Sequence, residues 1–224
     1  MHRVLRLASA WLLLCAIASG QAPAKQPQTP PLKVNVLNVC TPGEAEQKEM
    51  AAALARVPQR AAFSRDYEVT RGHTTAEDGS GSDWVRIRRE FPKGTPLLAV
   101  QFSYIADNQE NQETAVFYSR ETKDVMQIAL EDEVSAGTSA ASVLAADTPV
   151  SHIRIERYGK PSLVLARCPT ADQARYEPLF GSASRIMATY RARLDAKQIV
   201  SAELGRLQGS GHRHINVKPM GKRQ

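Results

Sequence analysis

Leu97-Leu98-Ala99-Val100-Gln101-Phe102-Ser103-Tyr104-Ile105 is the stretch whose reading decides the fold, because Leu98, Val100, Phe102 and Tyr104 recur at every second position. A strand turns successive side chains to opposite faces, so this period predicts a β-strand with those four residues in a core. The same period extends in both directions. Residues 66–71, 84–91, 97–105, 114–119 and 125–130 read as strands, divided by glycine-rich or polar punctuation at 72–82, 92–96, 107–113 and 120–124. Val85, Ile87 and Phe91 mark the core face of the second strand. Loops this short join antiparallel neighbours, so a meander is expected. Residues 153–158 and 162–167, around Gly159-Lys160-Pro161, add a hairpin.

Helices bracket this run. Thr41-Pro42-Gly43-Glu44 reads as a capping box with Thr41 as cap, opening a helix through Glu46, Met50, Ala53, Leu54 and Val57 that Pro58 ends. Leu179, Ala183, Ile186, Met187, Tyr190 and Leu194 recur at helical spacing and predict a long amphipathic helix, continuing toward Ile199 and Val200. Residues 138–146 suit a short helix. The expected fold class is α+β: an antiparallel meander sheet of six to seven strands, covered by an N-terminal and a long C-terminal helix.

Two strand-cysteine-proline units punctuate the ends. Val36-Leu37-Asn38-Val39-Cys40-Thr41-Pro42 and Leu163-Val164-Leu165-Ala166-Arg167-Cys168-Pro169 share one pattern, and Cys40 and Cys168 are expected to form one disulfide joining the first and last strands. An oxidising compartment is consistent with the N-terminus. Arg3 and Arg6 precede an apolar run at 7–18 and the small residues Ala18 and Gly20, the layout of a cleaved signal peptide. That run is too short for a comfortable membrane span, and Leu12-Leu13-Leu14 before Cys15 do not suit a lipidated cysteine. The expected organisation is a signal peptide at 1–20, a Pro-rich linker at 21–32, a single domain at 33–204 and a basic disordered tail at 205–224, in a secreted or periplasmic protein with no integral membrane span.

Charge narrows the partners. The formal net charge is +6, but of 29 basic residues Arg3 and Arg6 lie in the leader and five in the tail, leaving 22 against 23 acidic side chains in the body. A neutral body gives no argument for nucleic-acid binding. Catalytic signatures are also missing: the sequence has no Gly-x-Ser-x-Gly elbow, no Ser-x-x-Lys and no His-Glu-x-x-His. His73 and His152 are the two histidines inside the expected domain and the candidate bases of any hydrolytic chemistry. Asp78-Gly79-Ser80-Gly81-Ser82 matches a hydroxyl-and-carboxylate metal pattern but follows no buried strand, and reads as a hairpin tip. His212 and His214 form an incomplete metal pair in a solvated tail. Glu131 and Glu133 face one way, as an acid and base would, but read as charges at a strand end that discourage aggregation, which explains them without chemistry. No cofactor or metal is implied.

The sheet face turned away from the core carries the candidate ligand-binding residues: Trp84, Arg86 and Arg88 on one strand, and His152, Arg154 and Tyr158, with Glu156, on another. Guanidinium groups beside aromatic rings suit carboxylates, sulfates or sugar faces if the two strands are near each other. The bland alternative pairs the arginines with Glu68, Glu90 or Glu156. The expected function is an exported, non-catalytic binding or interaction protein, with an anionic envelope polymer or another exported protein as partner. The alternatives are a hydrolase acting on an envelope or extracellular substrate, and a carrier of an apolar ligand in a cavity lined by Phe102, Tyr104 and Phe117.

Overall fold

The period of two that starts at Leu97 continues through a whole sheet in the computed structural model, which describes residues 40–60, 62–64, 67–75, 81–106, 110–133, 144–145, 147–169, 172–210 and 215–217. Seven strands follow one another as a meander: β1 (Glu68–Thr75), β2 (Gly81–Glu90), β3 (Leu97–Ala106), β4 (Glu110–Ser119), β5 (Val125–Glu133), β6 (Val150–Glu156) and β7 (Leu163–Ala166). The order is β7-β6-β5-β4-β3-β2-β1, every neighbouring pair antiparallel, and a short β8 (Ile215–Val217) adds to the outer side of β1.

Register fixes which side chains share a face. Val85 lies opposite Tyr104, Ile87 opposite Phe102, and Phe102 opposite Ala115, so one face is continuously apolar and fully buried. Leu98 departs from the expectation. A register shift between Leu97 and Ala99 inserts an extra residue there, turning Leu97 into the core at 6% exposure and Leu98 out at 37%.

Three helices among the described residues, α1 (Glu44–Ala55), α2 (Gln173–Arg193) and α3 (Ala196–Ser210), pack on that apolar side. The cap of α1 is Gly43 rather than Thr41: Gln47 N donates to Gly43 O at 3.0 Å, and a Cβ at Gly43 would lie 2.6 Å from Glu46 Oε2. Glu46, not Glu44, therefore stands at the position whose carboxylate turns back toward the helix start. The C-terminal helix is two helices rather than one, because Asp195 takes a left-handed conformation (φ 50°) between α2 and α3. Eight strands span roughly 34 Å, more than one helix covers, and the break lets α2 lie along the middle while α3 crosses β1 and β2. Tyr190 of α2 packs edge-on against Phe117 at 4.9 Å between ring centroids. Glu203 of α3 forms a buried ion pair with Arg71 of β1 and a second with Arg206.

The tail expectation is corrected in part. Val200, Leu204 and Leu207 continue the buried stripe, so α3 reaches Ser210, and residues 215–217 are β-paired. The other tail residues, the signal peptide, the linker, the strand expected at 33–39, the metal pattern at 78–80 and most of 138–146 lie outside the described residues. Among the described residues no helix is long and apolar enough to cross a membrane.

The Cys40–Cys168 disulfide is formed, with Cα atoms 5.7 Å apart. Cys168 follows β7, as expected, and each cysteine also stands just before a helix cap, Gly43 or Asp172. The bond therefore fastens together the entrances of α1 and α2. These helices run parallel: Arg175 meets Glu44 at 3.6 Å near their starts, and Thr189 donates to Gln59 at 3.2 Å at the far end.

Candidate functional site

Alternation along β2 turns Val85 and Ile87 inward and Trp84, Arg86 and Arg88 to the face away from the helices. The Arg86 guanidinium sits 4.5 Å above the Trp84 ring. Arg88 reaches across β3 to the Tyr118 ring of β4 at 5.0 Å, a path open because the β3 residue paired with Tyr118 is the small Ala99. Ring quadrupoles hold a cation by about 0.5–1 kcal/mol at such exposed positions, enough to bias the orientation of the fork. Among the described residues neither arginine forms an ion pair, whereas Arg71, Arg154, Arg157, Arg167, Arg175, Arg191 and Arg206 all do. The bland alternative therefore holds for Arg154, which pairs with Glu156 at 3.1 Å, and not for Arg86 or Arg88.

The proximity condition for the two strands fails. β3, β4 and β5 stand between β2 and β6, a separation of about 19 Å. Trp84, Arg86 and Arg88 make one group, and His152 and Arg154 a second on the same face. Tyr158 joins neither: it lies in the β6–β7 turn, 74% exposed, with Lys123 at 5.2 Å from its ring. His73 sits on the opposite face near the end of β1, its Nδ1 2.9 Å from Asp83 Oδ1. Gly81 makes room for that ring, since a Cβ there would lie 2.5 Å from it. The two candidate bases are thus on different faces of the sheet.

Around His152 the geometry resembles a relay and lacks its order. Gln112 donates to Glu131 Oε1 at 2.9 Å, and the same oxygen lies 3.3 Å from His152 Nδ1. Ser151 Oγ is 3.2 Å from that same nitrogen and donates to Ala129 O. A carboxylate only accepts, so Nδ1 carries the proton in this network. Ser151 therefore meets the protonated nitrogen, and nucleophile activation requires the opposite one. Burial pushes the His152 pKa down; Glu131 opposes this and Arg154 reinforces it, so the ring is neutral at neutral pH.

Two features were missed in the sequence. Tyr118 follows from the period of two on β4, as the open-face partner of Val116. Glu113 falls in a stretch read as loop, but β4 begins at Glu110 and places Glu113 on the core face with no exposure. Its oxygens accept from Arg191 Nε and from Leu144 N, both at 2.5 Å. Burial drives the Glu113 pKa up, and Arg191 and the Leu144 amide partly offset it. Beside it Tyr104 donates to Asn111 Oδ1 at 3.1 Å, its phenol pushed up to about 12 by burial and by Glu113. Phe102 and Tyr104 are fully buried and Phe117 packs on Tyr190, so these side chains serve as core.

Among the described residues no three His, Cys, Asp or Glu side chains converge to hold a metal ion. Compared with protein families, curated proteins and solved structures, the chain matches none.

Proposed function

We propose that the protein is an exported, non-catalytic binding module that holds an anionic polymer on the β2–β4 strip of its open sheet face. One observation carries this reading: Arg86 and Arg88 point the same way from one strand, each resting on an aromatic ring and neither in an ion pair among the described residues. Their Cα atoms stand about 7 Å apart, so a chain with recurring carboxylates or sulfates can engage both forks. Gln101, opposite Arg88 on β3 and anchored by donating to Ser103 Oγ at 3.3 Å, adds an amide for sugar or peptide oxygens.

Replacing both residues, Arg86→Ala with Arg88→Ala, is expected to weaken binding of a linear polyuronate or sulfated glycan by roughly 100-fold, since a hydrogen bond to a charged group contributes about 1.5–3 kcal/mol. Added salt is expected to weaken the wild type and barely alter the double variant. Calorimetric titration with the two polymers and a neutral glucan checks this; equal affinity of wild type and variant for every polymer removes the proposal.

A second reading, a hydrolase with His152 as base, has the Glu131 contact at Nδ1 in its favour. Turnover of a polysaccharide or ester that disappears in His152→Gln while polymer binding persists would support it in place of the non-catalytic role.

A further inference from the structure

The parallel pair α1 and α2 leaves an open groove of about 630 Å³ on the helical side of the molecule, away from the arginine strip. Leu54 and Val57 from one side and Ile186 from the other form its buried apolar floor, and the half-buried Leu179, with Ala51 and Ala55, presents apolar surface along its walls. Ala51, Ala55 and Ser182 are too small to fill the space between the helices, which meet instead near their ends, through Arg175 with Glu44 and Thr189 with Gln59. The charges beside this groove are mostly basic. Arg185 stands in its wall, Arg60 adjoins Gln59 of its lining, and Lys48 lies about one turn before Ala51; among the described residues none of the three has a carboxylate partner, while Glu44 at the groove's end is taken up by Arg175.

We infer that this groove is a docking site for an acidic amphipathic helix of a protein partner. The groove is open along its length, so an acyl chain laid in it would keep one side in water, whereas a helix needs only one apolar stripe covered. From Pro178 to Ile186 the α2 wall runs about 12 Å, two to three turns of such a helix. Small residues along both walls allow close backbone approach, and the basic rim selects glutamate- or aspartate-rich flanks. This site is independent of the polymer-binding reading.

The test uses the disulfide-bonded full chain and a labelled synthetic helix of about four turns, with leucine at i, i+3, i+4 and i+7 and glutamate elsewhere, against the same peptide with lysine for glutamate. Fluorescence anisotropy is expected to show the acidic peptide binding at least about 10-fold tighter than the basic one. Ala51→Trp, on an exposed position, fills the groove and is expected to lose that binding. Arg60→Glu with Arg185→Glu keeps the apolar surface and is expected to reverse the preference toward the lysine peptide. Equal affinity for the two peptides, or indifference to both variants, overturns the inference. So does self-association of the chain that Ala51→Trp abolishes, which assigns the groove to a second copy. Displacement of the peptide by an equimolar fatty acid likewise overturns it in favour of a lipid.

Discussion

Reduction of the Cys40–Cys168 bond lowers the unfolding free energy by up to about 5 kcal/mol, the chain-entropy limit for a loop spanning 128 residues. That is a large share of the roughly 5–15 kcal/mol that holds a domain of this kind together. The loop encloses α1 and the seven strands of the meander, so almost the whole fold is inside the closed ring. The loss should be uneven. α1 touches the remainder chiefly through α2, Arg157 and its buried Met50 and Leu54, so amides of residues 44–55 are expected to exchange first in the reduced protein. Urea midpoints of the oxidised protein and of the Cys40→Ser, Cys168→Ser double variant measure the effect. Coincident curves, with α1 equally protected in both, would show that the bond adds nothing to the fold.

The second large effect concerns Glu113. Arg191→Ala is expected to destabilise the fold by about 3–5 kcal/mol at neutral pH, because it leaves a fully buried carboxylate without its cation. The folded pKa of Glu113 already lies above its ordinary value, chiefly through burial. Its protonated form thus contributes stability that is complete below the ordinary glutamate value and is lost as pH rises through the raised one. Removing Arg191 takes away the charge that pulls this pKa back, so the carboxyl in the variant stays protonated to higher pH and the penalty shrinks in acid. Urea unfolding of both proteins at about pH 4 and pH 8 tests the sign. A cost that is equal at the two pH values, or below about 1 kcal/mol at both, contradicts the assignment. Glu113→Leu with Arg191→Met, which removes both charges, is expected to regain most of the loss.

Periodicity made the sheet legible. Alternation in β2, β3 and β5, short punctuation and the two cysteines were sufficient to place a meander under two helical segments closed by a disulfide. The misses are local and have physical causes. Leu98 follows the alternation in sequence, but one inserted residue exchanges it with Leu97, and a bulge leaves no trace in a binary pattern. Glu113 looks like loop punctuation because a charged residue is expected outside, and only its distant partner Arg191 makes it compatible with the core. The break at Asp195 is equally silent, since the apolar spacing continues across it from Tyr190 and Leu194 to Val200 and Leu204. The candidate site was legible strand by strand and not across strands. Trp84, Arg86 and Arg88 do share a face, but the distance from β2 to β6 depends on strand order, which the alternation of any one strand does not encode.

The placement of β8 has a consequence for the fate of the folded chain. The meander alone would end in β1, an eight-residue strand with an open row of main-chain donors and acceptors. Ile215, Asn216 and Val217 occupy the first half of that row at Val69, Thr70 and Arg71. These three residues thereby stand where the strand of a neighbouring molecule would otherwise pair, so clipping after Ser210 is expected to bare that stretch of β1 for edge-to-edge pairing between molecules.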